Sequence, residues 1–186
     1  MIHVVGLGGV GFWLALGLTR HVGSTNLHCW DDDTLAGGTG SARLPWGPDT
    51  TKKTDLLIGH LRMVYGDTSV PQVSERRFSG LLGVEQGDIV VDCTDMPLDA
   101  RRRMWNCARK RGAKLLRVSY DGRGSVVVVS TGLPLAAPPE GGYAAVPSLA
   151  LSLAAGGLGA EVVKRYIDTP KESFTIALSL QEAMQE

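Results

Sequence analysis

Short apolar runs alternate along the chain with longer stretches whose apolar positions recur every three to four residues. Residues 2–5 are a four-residue apolar run that predicts a strand, and Val10, Leu14, Leu18 and Val22 then fall on one face of a helix over 10–22, ended near Gly23. Leu27-His28-Cys29-Trp30 predicts a second strand closing on Asp31-Asp32-Asp33. Residues 34–51 have no apolar period and carry Gly37-Gly38-Thr39-Gly40, Pro45, Gly47 and Pro48, which predicts a loop. Helical spacing resumes over 52–65 (Leu56, Leu57, Leu61, Val64), and 70–73 reads as a short strand. The near-continuous apolar run at 89–93 is what a strand covered on both faces requires.

A helix is expected from Pro97 to about Arg111, then strands at 113–118 and 125–130 separated by the turn Asp121-Gly122-Arg123-Gly124. Residues 134–147 form a loop rich in Pro, Gly and Ala, Ser148 caps a helix to about Ile167, and 174–180 is a last strand. Strands alternating with helices predict an α/β, Rossmann-like, doubly wound sheet, mostly parallel, with antiparallel C-terminal strands. With no linker or repeat in 186 residues, the expectation is one nucleotide-binding domain over 1–186.

Composition narrows this picture. Nineteen basic and nineteen acidic residues leave no net charge, so no global field favours nucleic acid or an anionic membrane. Arg101-Arg102-Arg103 with Arg109-Lys110-Arg111 reads as a solvated helix face. The uncharged region 144–160 is interrupted by Pro147 and glycines and reads as a buried helix rather than a membrane span. Cys29, Cys93 and Cys107 form no CxxC motif and suit a reducing cytoplasm without a zinc site. The four histidines lack metal-ligand spacing.

The candidate chemistry lies at the first strand-to-helix junction. In Gly6-Leu7-Gly8-Gly9-Val10-Gly11, the glycines at 6, 8 and 11 supply a tight turn, a close approach of backbone to phosphate and a helix-to-strand contact. A GxGxxG alone is weak, but this one follows a strand, opens an amphipathic helix and precedes a second strand ending in acid. Asp31 stands where a ribose hydroxyl is gripped, whether the ligand is a dinucleotide or ATP.

Taken in order, Gly6-Leu7-Gly8-Gly9-Val10-Gly11, Asp31-Asp32-Asp33-Thr34, Arg43, Lys53 and Asp92-Cys93-Thr94-Asp95 resemble the ThiF/MoeB adenylyltransferases, the family of ubiquitin-activating enzymes and their bacterial relatives. The resemblance implies that Gly9 touches ATP phosphates, that Asp31 binds ribose, and that Arg43 and Lys53, with Lys52 beside it, approach the phosphates. Asp33 and Thr94 belong to the same nucleotide-binding set, and Asp95 would hold Mg2+. It further implies adenylylation of a carboxylate, the C-terminal glycine of a small ubiquitin-like or sulfur-carrier protein, and a homodimer. No cysteine follows Cys107, so no enzyme thioester is expected. Two alternatives stay open. A non-catalytic nucleotide-binding scaffold is favoured by Gly40-Ser41-Ala42-Arg43-Leu44 standing where the family carries N-L-x-R-Q. An NAD-dependent oxidoreductase has the glycines and Asp31 in its favour.

Overall fold

Strand β1 (Ile2–Val5) is buried at all four residues and lies inside the sheet, with a neighbour on each edge. The structure is a computed structural model that describes residues 1–35, 44–45, 47–66, 70–80, 83–120, 126–131, 149–170 and 174–179. After β1 come α1 (Gly11–Val22), β2 (Leu27–Trp30), α2 (Lys53–Tyr65), β3 (Gln72–Ser74), β4 (Ile89–Asp92) and α3 (Leu98–Lys110). The chain continues through β5 (Lys114–Tyr120), β6 (Val126–Ser130), α4 (Leu149–Asp168) and β7 (Thr175–Ser179).

The sheet order is β3-β2-β1-β4-β5-β6-β7. From β3 to β5 every neighbouring pair is parallel, whereas β6 runs antiparallel to β5 and to β7. The chain winds outward from β1 in one direction through β2 and β3, then returns to β1's other edge for β4 and β5. That reversal creates a crevice at the carboxyl ends of β1 and β4.

The period of two along each strand feeds two cores. Val4, Cys29, Val91 and Leu116 face Leu14, Leu18, Leu57, Leu61 and Val163 from α1, α2 and α4. Val5, Trp30 and Val90 face Met104, Trp105 and Ala108 of α3, with Phe78 and Val84. Leu14, Leu18, Leu57 and Leu61 are fully buried, each contributing about 1.5–3 kcal/mol of transfer free energy. The α1–α4 contact depends on small residues: a Cβ on Gly156 would lie 2.4 Å from Trp13 Cβ, so any larger residue there pushes the helices apart. The expected buried helix is therefore present as α4, although Leu149 and Leu153 remain exposed. Among the described residues, no helix is long and apolar enough to cross a membrane.

Two sequence expectations shift. The strand expected at 70–73 is found at Gln72–Ser74, because Pro71 has no N–H to donate and pairing with His28 begins after it. The basic cluster of α3 is not one solvated face: Arg102 is exposed, but Arg101 is buried. The turn at 121–124, the loop at 134–147 and the Ser148 cap lie outside the described residues.

Candidate functional site

The glycine turn is built by three different constraints. Gly6 has φ +86° and donates its N–H to Trp30 O at 2.9 Å, which ties the turn to β2. Gly11 sits where a Cβ would fall 1.8 Å from Gly6 O, so only glycine lets α1 start that close to β1. Gly8 has open space at its Cβ position, and with Gly9 and Val10 it lines a cleft of about 260 Å³. Helix α1 begins without a side-chain cap and without an acid in its first turn. The residues that lead into it, Gly8 to Val10, line the cleft, while Phe12 N–H in its first turn is bonded to Gly8 O at 3.2 Å.

On the β2 side, Asp31 is buried and its carboxylate is oriented by backbone. Its Oδ2 accepts the N–H of Leu7 from the glycine turn, and its Oδ1 accepts the N–H of Asp33 at 2.8 Å. Burial pushes its pKa above the usual carboxylate range, opposed chiefly by the Lys53 ammonium and then by those two N–H groups. Lys53, the first residue of α2, places Nζ 2.7 Å from Asp33 Oδ2 and 3.8 Å from Asp31 Oδ1. Lys52 precedes the helix, bridges Thr34 through its backbone and does not line the cleft. The phase of the helix start therefore distinguishes the two lysines.

On the β4 side the chain turns through Cys93–Met96 over a buried network. Asp92 is fully buried, and its Oδ1 accepts the N–H of Thr94 at 2.9 Å and the Thr94 hydroxyl at 2.7 Å. Its Oδ2 accepts Trp105 Nε1–H at 2.9 Å and lies 3.3 Å from Arg101 Nε and 3.1 Å from Arg117 Nη1. Asp95 at the apex of this turn is exposed and lines the cleft. It does not cap α3, whose cap position is Pro97 with no side-chain cap hydrogen bond.

Gly6, Gly8, Gly9, Asp31, Asp33, Lys53, Thr94 and Asp95 thus all line one cleft. Gly11 acts from behind, as the close-approach residue, and Arg43 lies outside the described residues. The carboxylates of Asp31, Asp32 and Asp33 cluster within 4.8 Å of one another; Asp95 is not in that group. Cys93 lines the cleft too, with its thiol pKa pushed strongly up by burial and then by the Asp92 carboxylate, which makes it a poor nucleophile.

Sequence reasoning missed Arg76, Arg77 and Phe78, which reach the cleft from the segment after β3, and Arg101 and Arg117 beneath the β4 turn. One signal for Arg117 was present: a lone arginine in the apolar strand Lys114–Tyr120, opposite Asp92 in the parallel register.

No known family profile matches the chain, and no curated protein matches it in sequence. Solved structures do share its fold. E. coli MccB superposes with a TM-score of 0.70 at 16% identity, covering 97% of this chain and 59% of that one. The Microcin C7 biosynthetic enzyme MccB in complex with N-formylated MccA gives 0.67 at 17% identity, covering 96% of this chain and 63% of that one. PaaA gives 0.66 at 15% identity, with 97% and 61% covered. The chain thus spans about three fifths of the length of these proteins. At such identities the likeness shows the fold, an α/β Rossmann-like one.

Proposed function

We propose that the cleft binds Mg-ATP and that the protein adenylylates a carboxylate, the C-terminal one of a peptide or of a small ubiquitin-like or sulfur-carrier protein ending in glycine. The observation that carries this reading is the convergence of the glycine turn, Asp31, Lys53, Thr94 and Asp95 on a single cleft at the carboxyl ends of parallel strands. The fold neighbours add support, since MccB structures of this fold hold ATP, AMPCPP or the peptide MccA.

The residues divide the work by position. Asp31, held in place by Leu7 N–H and Asp33 N–H, accepts a hydrogen bond from a ribose hydroxyl. The N–H groups at Gly8–Val10 and the start of α1 receive phosphate oxygens. Lys53 turns from Asp33 toward the phosphates and neutralises charge as the anionic nucleophile approaches. In the reaction, a carboxylate oxygen of the substrate forms a bond to the α-phosphorus, the α–β bridging P–O bond breaks, and pyrophosphate leaves with that electron pair. Asp95 fits a magnesium ligand by its chemistry, a hard carboxylate exposed at the cleft with no hydrogen-bond partner among the described residues. The ion would neutralise phosphate charge.

ATP–pyrophosphate exchange with peptides ending in a free glycine tests this. Exchange that requires the peptide's free carboxylate and disappears with its C-terminal amide is the expected result. The scaffold reading is favoured by Lys53 being engaged at 2.7 Å with Asp33; it predicts ATP binding with no exchange for any carboxylate. A titration of NAD against ATP separates both from an oxidoreductase.

A further inference from the structure

The corner between β4 and α3 contains a charge arrangement that nucleotide binding by the glycine turn does not require. Two acids, Asp92 and Asp95, sit on it within four residues, and Asp95 lines the same cleft as Gly8 to Val10. An acid directed toward a polyanion is repulsive until something neutralises it. The corner supplies two guanidiniums. Arg101 and Arg117 are 6% and 7% exposed, and both converge on Asp92.

Neither arginine is only an Asp92 partner. Arg101 Nη2 donates to Thr94 O at 3.1 Å and Met96 O at 2.9 Å, and Arg117 Nη2 donates to Thr94 O at 3.0 Å. The carbonyls on either side of Asp95 are therefore fastened from below. Arg117 also keeps a buried Nε without a hydrogen-bond partner among the described residues, a cost that a purely structural residue in this strand would not need to carry. A neutral side chain hydrogen-bonded to Thr94 O would hold the turn as well. What it would not provide is the second positive charge.

We propose that Arg117, together with Arg101, is a positioning and charge-setting residue of the cleft: it fixes the Thr94–Met96 turn and offsets Asp95, so that an acid can face a phosphate chain without repelling it. The inference rests on the nucleotide-binding reading above. With both arginines the corner is balanced, two acids against two cations; without Arg117 it carries one net negative charge. At a separation on the order of 10 Å and an effective dielectric of about 20–40, that change weakens binding by roughly 4- to 16-fold per ligand charge, and not at all for a neutral ligand.

The test is a series of calorimetric titrations at low ionic strength, in the presence of a chelator, with adenosine, AMP, ATP and inorganic tripolyphosphate. The proteins are the parent, Arg117→Gln, Arg117→Lys and Ser119→Glu. Ser119 lines the cleft two residues beyond Arg117 and is outside the Asp92 network, so its glutamate adds the opposing charge without disturbing the buried arginines. In Arg117→Gln, adenosine affinity is expected to hold within twofold, AMP, with about two charges, to weaken at least about 16-fold and ATP by more, with the gap narrowing when Mg2+ is restored. Arg117→Lys should recover most of the loss, and Ser119→Glu should reproduce the graded pattern in a protein whose melting temperature is unchanged.

Equal losses for adenosine and ATP in Arg117→Gln, or no graded loss in Ser119→Glu, overturn the proposal and leave Arg117 a structural residue. Tripolyphosphate separates this from failure of the nucleotide reading. If no nucleoside binds the parent but tripolyphosphate does, and weakens in both variants, the corner's charge role stands while the adenosine site falls. If the parent binds no anion at all, both fall.

Discussion

Gly8 and Gly11 belong to one motif, yet the structure assigns them opposite sensitivities, and a pair of substitutions separates them. In Gly11→Ala the new Cβ would lie 1.8 Å from Gly6 O, 3.0 Å from Gly6 C and 3.1 Å from Cys93 Cβ. The carbonyl has little room to retreat, because Gly6 N–H is bonded to Trp30 O at 2.9 Å and Gly6 holds φ +86°. Overpacking of this kind costs about 1–3 kcal/mol and more where backbone must move. For a chain of this length, 1 kcal/mol corresponds to about 2–4 °C, so Gly11→Ala should melt roughly 2–12 °C below the parent.

Gly8→Val is the converse. No atom lies within 4 Å of its Cβ position and its φ is not in the left-handed region, so stability should stay within about 0.5 kcal/mol. A phosphate drawn to the N–H groups of the turn would meet the valine methyls, and ATP affinity should fall at least about tenfold, or 1.4 kcal/mol. Differential scanning calorimetry and isothermal titration on the two variants give both numbers. Parent-like ATP affinity in Gly8→Val would refute phosphate contact at this turn. An unchanged melting temperature in Gly11→Ala would refute the close approach itself.

Three further outcomes follow from the same geometry. Asp95→Ala removes an exposed side chain that caps nothing, so it should melt within about 2 °C of the parent while losing the Mg2+-dependent part of ATP binding, read by titrations with and without chelator; equal affinity in both arms would remove Asp95 from the metal assignment. His28, stacked on Trp30 at 4.1 Å, has its pKa lowered to about 4 by burial, then by His3 and Arg76. The unfolded chain takes up that proton near pH 6.5 while the folded one resists, so stability is full above 6.5 and falls as pH drops toward 4, by about 1–3 kcal/mol after allowance for partial exposure. Melting curves of His28→Phe, which keeps an aromatic ring on Trp30, should be flatter over that window; an identical acid slope would point to another group. Mass spectrometry of the protein with Mg-ATP and a carboxylate substrate should show no reductant-sensitive adduct on Cys93, since burial and Asp92 hold that thiol protonated; an adduct lost in Cys93→Ala would reverse the no-thioester reading.

Much of the parallel half of the fold was legible because its signals are local. Strands β1, β2 and β4 are short, mostly apolar runs, and the glycine turn and Asp31 are placed by backbone geometry that neighbouring residues dictate. The β3 boundary moved because Pro71 overrides an apolar pattern that begins at Val70. Which of Lys52 and Lys53 lines the cleft depends on where α2 starts, a phase that residue spacing leaves open by one position; the helix begins at Lys53, and Lys53 is the one at the cleft.

The illegible half of the site is the half that sets its electrostatics. Arg101 reads as a surface cation because its neighbours Arg102 and Arg103 are exposed, and only the fold brings Asp92 and Thr94 O to it. Arg117 is placed by a strand register spanning twenty-five positions of sequence. A buried guanidinium carries no local signature, since its environment is supplied by other elements and its burial is tolerable only once they are present. On the proposed reading, the legible glycines determine where a phosphate sits, and the arginines beneath β4 determine whether an acid can sit beside it. A chain that kept the first feature and lost the second would still match the glycine pattern, and its Asp95 would then repel the ligand that the turn attracts.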